Sequence, residues 1–495
     1  APTSNGGARE RARSPLAFER IALGIDGRTP DAAAFTLQPL LPRLPSPRSP
    51  ALVLTPAPGD SRQLWVGGDS GHPLRTLELR GGSPGAVRSI GSPAMTSALA
   101  RWGDDLIVGQ ANRGSAGAVG ILQGTNGSLR ALPTAVTEPS CLATSTNVPR
   151  DGAWLFVGGG PLPGQYPTAS PSEWLRWEGG AFRPVQSLSL GLVTSAVFVQ
   201  LDETEEPELV TVTEWGAPSI HRWKEGRWQS WEAPVSWSGG PKATLGDLLG
   251  GWQSVTVLDA DQDGRPDLVL GNWGLNSAYS LLTGPVPSSG GPGRPLFLYH
   301  GEGLEAGPGG CFEAYTGADG RVRPIRGLAD LGSRLPWLLS RYSKHRVYAE
   351  STVEEILADR LASLGKAECR WLSSVILMNR TDRWELRALP DEVQLGPVFA
   401  GTVADFDGDG RQDLYLAQGF FGYNFGQPRD DAGEGVFLLH RNDGKFEAIP
   451  TAATGIRILG EQRSAVAGDL NGDGRADLIV GEWGGSVSLL MSRPR

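Results

Sequence analysis

Three short stretches carry carboxylates at a spacing suited to a hard cation. They read Asp259-Ala-Asp261-Gln-Asp263-Gly264-Arg265-Pro-Asp267, Asp405-Phe-Asp407-Gly-Asp409-Gly410-Arg411-Gln-Asp413 and Asp469-Leu-Asn471-Gly-Asp473-Gly474-Arg475-Ala-Asp477. Calcium takes six to eight oxygens, and alternate residues of a tight loop point inward onto one ion. Positions 1, 3, 5 and 9 supply side-chain oxygens, while Arg265, Arg411 and Arg475 at position 7 supply a backbone carbonyl. Glycine at position 6 permits the sharp turn. Asp and Gly also form plain turns, but three full copies at one place in a repeat argue for metal. No helices flank the loops and no Glu stands at position 12, which sets aside an EF-hand. The expected cofactor is Ca2+, about three ions.

Eleven carboxylates gather in these loops, and the whole chain has a net charge of −9. Three calcium ions would bring that to −3, so metal binding and folding are expected to be coupled. A fourth stretch, Gln200-Leu-Asp202-Glu-Thr204-Glu-Glu-Pro-Glu208, keeps the frame but loses the first Asp and the Gly. Weak or no calcium binding is expected there.

The elements that position these loops form a repeat. A short apolar strand recurs as Leu64–Gly67, Leu106–Gly109, Leu155–Gly158, Leu209–Val212, Leu268–Gly271, Leu414–Ala417 and Leu478–Gly481. The spacings are 42, 49, 54, 59, 146 and 64 residues. Apart from the long gap, they suit one four-stranded propeller blade per repeat. High Gly and Pro with short apolar bursts indicate an all-β chain. The last repeat runs out of chain after three strands, and Phe18-Glu19-Arg-Ile21 echoes Phe446-Glu447-Ala-Ile449. The expected fold is a seven-bladed β-propeller spanning 1–495 as a single domain, closed by the N-terminal strand, which removes exposed edges. The long gap holds a partly helical insertion, 301–398, placed between blades five and six. Apolar spacing there predicts helices over 327–341 and 352–364, with Thr352 and Glu355 as a capping box and Ser351 as a rival cap.

Other chemistry is sparse. Five His are scattered without paired spacing, and no nucleophile elbow or phosphate loop is present; the expectation is that the chain is not an enzyme. No basic run suggests nucleic acid, and no apolar stretch approaches the roughly 20 residues of a membrane helix. Cys311 and Cys369 could pair within the insertion, or all three cysteines are free thiols. Trp215-Gly216, Trp273-Gly274 and Trp483-Gly484 follow three of the strands, with Phe420 in the sixth. Their repetition suggests packing between blades, with ligand contact as the alternative.

On these residues the chain resembles the FG-GAP/VCBS repeat family, the propeller type also found in integrin α-subunit heads. It is similar in particular to bacterial VCBS-repeat proteins of the ASPIC/UnbV-associated type, through Gln38–Pro42, Gly271–Asn276, Ala349–Ile356, Leu389-Pro390 and Gln394–Pro397. The resemblance implies export and a binding or adhesion role. The functional expectation is a calcium-binding, non-catalytic propeller, protein-binding or an accessory subunit of a surface complex, secreted, cell-surface or periplasmic. A carbohydrate-binding propeller is the alternative, and an enzyme using the central channel is a third reading.

Overall fold

The computed structural model describes residues 16–26, 34, 37–44, 50–68, 73–91, 95–111, 118–124, 127–145, 151–286, 291–304, 309–423, 429–441, 445–484 and 486–494. Among these the strands form eight separate sheets of four to six strands. Pairing is antiparallel except where Pro234–Ser236 adds in parallel beside Trp384–Ala388 and at an isolated parallel bridge between Gly250 and Trp371.

Each of the seven recurring apolar strands is the second strand of its own sheet. The fifth sheet is built on Ser254–Leu258 and Asp267–Gly271. The sixth has Val398–Ala404, Asp413–Gln418, Val436–His440 and Phe446–Pro450. The seventh has Glu461–Gly468, Asp477–Trp483 and Ser486–Ser492, and its fourth strand is Phe18–Asp26, which pairs with Ser486–Ser492 from Phe18 opposite Ser492. These second strands are buried on both faces, which is why they read as unbroken apolar runs; Asp267–Gly271 is buried at every residue. The glycine closing the run has a steric cause. A Cβ on Gly271 would sit against the Ser254 hydroxyl and 2.5 Å from the Val398 carbonyl oxygen of the next sheet.

Neighbouring sheets are stitched by hydrogen bonds close to the start of their first strands. Thr96 N–H donates to the Gly68 carbonyl at 2.8 Å. The Ser97 hydroxyl donates to Pro139 O at 2.5 Å, Ser140 to Val193 O at 2.5 Å and Thr194 to Trp252 O at 2.8 Å. Ser254 donates to Val398 O at 2.9 Å, and Tyr415 Oη to Gln462 Oε1 at 2.6 Å. Ser464 then donates to Pro50 O at 2.5 Å, from the seventh sheet to the first. Ser97, Ser140 and Thr194 each sit in a β-bulge, which turns the side chain toward the neighbouring sheet.

The long excursion is placed differently from the sequence expectation of 301–398 between the fifth and sixth repeats. Val375–Asn379 and Trp384–Ala388 pair into the sheet of Ser254–Leu258 and Asp267–Gly271. The excursion therefore separates the second and third strands of the fifth sheet. The helix-forming stretches on either side of its strands masked the return of strand periodicity at 375. It also carries a sheet of its own, ordered Val322–Pro324, Cys311–Thr316, Leu296–His300 and Gly365–Cys369. The predicted helical stretches are short helices, Leu328–Gly332, Pro336–Arg341 and Val353–Leu357, with Ala358–Ser363 in a 3₁₀ turn. Thr352 and Glu355 form the capping box, so Ser351 is not the cap. Cys311 and Cys369 lie on strands to either side of Leu296–His300 and are not disulfide-bonded, and all three cysteines are buried.

Candidate metal centre

Each carboxylate loop joins the first strand of a sheet to the second, where the chain must reverse over nine residues. The turn is made by backbone with positive φ: Gly264 at 83°, Gly410 at 84° and Gly474 at 80°. Two residues earlier Gly408 and Gly472 adopt φ of 78° and 77°, whereas the first loop has Gln262 there at 59°. Left-handed backbone of this kind is strained for any residue bearing a Cβ.

The loops are preorganised by their own backbone. The Asp405 carboxylate accepts N–H bonds from Gly408 (2.7 Å), Asp409 (3.1 Å) and Gly410 (2.8 Å). Asp469 accepts the same three, from Gly472, Asp473 and Gly474 at 2.7, 3.2 and 2.9 Å. Asp259 accepts two, from Asp263 at 3.0 Å and Gly264 at 2.9 Å. The position-9 carboxylate clamps the loop to the sheet. Asp267 accepts from Ala260 N (2.8 Å) and Asn379 N (2.7 Å), Asp413 from Phe406 N (2.9 Å) and His440 N (2.8 Å), and Asp477 from Leu470 N (3.0 Å) and Ser492 N (2.8 Å).

Two of the loops bring three carboxylates together. One oxygen each from Asp259, Asp261 and Asp267 lie within 4.8 Å of one another, and so do oxygens of Asp405, Asp407 and Asp413. Within these triads Asp261 Oδ1 and Asp407 Oδ1 are buried without a hydrogen-bond partner, and the Asp407 side chain is only 10% exposed. A buried carboxylate oxygen left unpaired is costly, and a divalent cation would satisfy it. Burial, with the neighbouring carboxylates adding to it, pushes Asp267 up to about 6. Burial also lifts Asp413 to about 6 and raises Asp477. Asp469 shifts the other way, because its backbone N–H bonds outweigh burial. The donor set, all hard oxygen and charge-crowded, fits calcium.

The third loop has Asn471 where the others have Asp261 and Asp407. Its amide bridges to Asp473, Nδ2 donating to Asp473 Oδ2 and Oδ1 accepting Asp473 N–H, both at 3.0 Å. The position-5 carboxylates are tied down rather than free. Asp263, Asp409 and Asp473 accept the N–H of Arg265, Arg411 and Arg475 at 2.9, 2.9 and 3.0 Å, and each also receives that arginine's guanidinium. Sequence reasoning gave these arginines only a carbonyl; nothing in the spacing foretells the side-chain contact.

Outside the loops it also missed Arg380 and Arg441. Arg380 Nη1 donates to Asp261 Oδ2 at 2.5 Å, and Arg441 Nη1 to Asp407 Oδ2 at 2.8 Å.

The degenerate fourth loop is filled by protein. Gln200 Nε2 donates to the carbonyls of Asp202 (2.8 Å) and Thr204 (2.7 Å), and Arg222 pairs with Asp202 at 3.2 Å and Glu208 at 3.4 Å. Glu208 still accepts Leu201 N–H at 2.8 Å, as Asp267 accepts Ala260, and burial pushes its carboxyl up to about 7.

The recurrent aromatics pack inward. Trp273 is 1% exposed, meets Phe420 with ring centroids 5.1 Å apart and carries Arg43 at 3.9 Å over its face. Trp215 donates to Tyr166 Oη at 2.6 Å. Arg463 lies 3.7 Å over Phe399 and 5.3 Å from the Trp483 ring. No described helix is long and apolar enough to cross a membrane.

Residues 405–480 match the FG-GAP-like repeat family. That stretch holds the whole second and third loops and the strands between them. Among solved structures, the chain is similar to the biofilm matrix protein Bap1 of V. cholerae, at 10% identity and a TM-score of 0.39, with 96% of this chain and 91% of that one covered. No curated protein matches the sequence.

Proposed function

We propose that this chain is a calcium-stabilised, non-catalytic β-propeller that binds protein partners outside the cytoplasm. The carrying observation is the pair of Asp triads, each with one buried carboxylate oxygen left without a donor. The FG-GAP-like repeat over two of the loops supports a calcium role. The seven sheets stitched in order, with a bond from the seventh back to the first, support a closed seven-bladed ring completed by Phe18–Asp26. Calcium is structural in this reading: the loops draw their donors from one segment and from the sheet behind it.

A propeller held by calcium in this way works where the ion is abundant, at the cell surface, in secreted form or in the periplasm. The excursion within the fifth sheet adds a broad surface for a partner protein or surface complex. Carbohydrate stacking on the recurrent Trp residues gains no support, because Trp273 is enclosed by Phe420 and Arg43. Kinship to exported VCBS-repeat proteins of the ASPIC/UnbV-associated type belongs to the same proposal.

The test is a thermal melt in excess calcium and in chelator, with bound metal counted in parallel. A large fall in melting temperature with loss of about three ions is expected. An unchanged melt with no bound metal would reduce the loops to turns and remove the argument for a calcium-rich compartment.

A further inference from the structure

The three loops differ at position 3, and the difference is matched by an arginine outside each loop. On the third strand of each sheet, the residues that donate their backbone N–H to the position-9 carboxylates are Asn379, His440 and Ser492. In all three cases the next residue is arginine: Arg380, Arg441 and Arg493. Each pairs with a glutamate of the adjoining fourth strand, Arg380 with Glu385 at 3.0 Å, Arg441 with Glu447 at 2.6 Å and Arg493 with Glu19. The three positions are therefore equivalent, yet they behave differently. Arg380 and Arg441 also grip the position-3 aspartates, Asp261 and Asp407. Arg493 makes no ion pair with its loop among the described residues, and position 3 of that loop is the neutral Asn471.

A charge count explains the pattern. Considering only the loop carboxylates and the guanidiniums touching them, the first loop sets four carboxylates against Arg265 and Arg380. The second sets four against Arg411 and Arg441. The third sets three against Arg475 alone. Each loop is left with two negative charges. Geometry points the same way: the arginine holds Oδ2 of the position-3 aspartate, and it is Oδ1 that stays buried and unpaired. Partners of this kind orient a metal ligand and tune what it binds.

Resting on the calcium reading above, we infer that Arg380 and Arg441 are positioning residues that match the first two loops to a divalent ion, a role filled in the third loop by Asn471. Removing either guanidinium leaves three negative charges and a loosened Asp261 or Asp407, which favours a trivalent ion over calcium.

The experiment displaces Tb3+ from the full chain with Ca2+, following terbium luminescence and counting ions. In the unaltered chain the three ions are expected to release alike. In R380Q/R441Q two of the three should need about ten-fold more calcium. Adding D261N and D407N should restore the original release, because it recreates the charge of the third loop. R380K/R441K and R493Q should each release as the unaltered chain does, and R380K/R441K keeps the test intact if the glutamine variant folds poorly. Unchanged release in R380Q/R441Q, or no restoration by D261N/D407N, would overturn the inference while leaving calcium binding standing. Failure of the unaltered chain to take up either ion would instead remove the calcium reading and this inference with it.

Discussion

Gln412 in the second carboxylate loop reaches back to the first: its Oε1 accepts the backbone N–H of Asp259 at 2.9 Å. The residue beside one loop's final ligand therefore orients the other loop's first ligand. Q412A is expected to weaken calcium at the first loop about five-fold, the worth of one hydrogen bond of about 1 kcal/mol, and to leave the third loop unaffected. Site-resolved calcium titration measures this; equal weakening at the first and third loops would contradict it.

Gln262 is the second point of attack. Its φ of 59° stands where the other loops use glycine. Q262G is expected to stabilise the chain by up to about 1 kcal/mol in chelator. Chemical denaturation of the metal-free chain would read it, and a destabilised variant would mean the side chain does something the backbone argument omits.

Position 9 and position 3 should separate cleanly. Asp413 bonds two buried N–H groups of the protein itself, so D413A should cost about 2–4 kcal/mol even in chelator, and more with calcium. Asp407 offers its unpaired oxygen to the ion, so D407N should cost most of its stability only when calcium is present. Paired melts in calcium and chelator compare them.

The fourth loop supplies a pH dependence free of metal. Burial raises Glu208 from 4.5 to about 7 in the folded chain. The folded state therefore binds this proton more tightly than the unfolded one. Its contribution to stability is fully present below pH 4.5 and is lost as pH rises to about 7, with no further change above. E208Q should remove that part of the slope and be more stable than the unaltered chain at pH 8, by on the order of 2 kcal/mol. Stability measured from pH 4 to 8 for both chains gives the difference directly.

Between sheets, S464A should cost about 1 kcal/mol through its lost bond to Pro50. G271A should cost well over that, since its methyl meets the Val398 carbonyl at 2.5 Å. Denaturant midpoints of the two variants would rank them, and a milder G271A would show that the neighbouring sheet can retreat.

Legibility in the sequence followed locality. The seven second strands and the loop frames were visible because burial on both faces and tight turns restrict residue type within a few positions. The echo of Phe446-Glu447 in Phe18-Glu19 extended that to a distant pairing, and the equivalence even covers the glutamates that hold Arg441 and Arg493. What stayed hidden was relational. Val375–Asn379 is an apolar run that any sheet would accept, so only the fold assigns it to the fifth. Arg380 lies 119 residues from Asp261 in sequence, a separation that no local pattern bridges.

The edge strand Phe18–Asp26 has one more effect, and it concerns time. On the ribosome this segment emerges long before Ser486–Ser492, the partner it pairs with. Until that partner emerges it must wait with its hydrogen-bonding groups unclaimed, open to exchange with a second nascent chain. Completion of the seventh sheet is thus a long-range event, and non-local pairing of this sort makes folding slow. A chain that has lost either segment would leave the other as an adhesive edge, so the same strand that finishes one molecule is the one most able to join two.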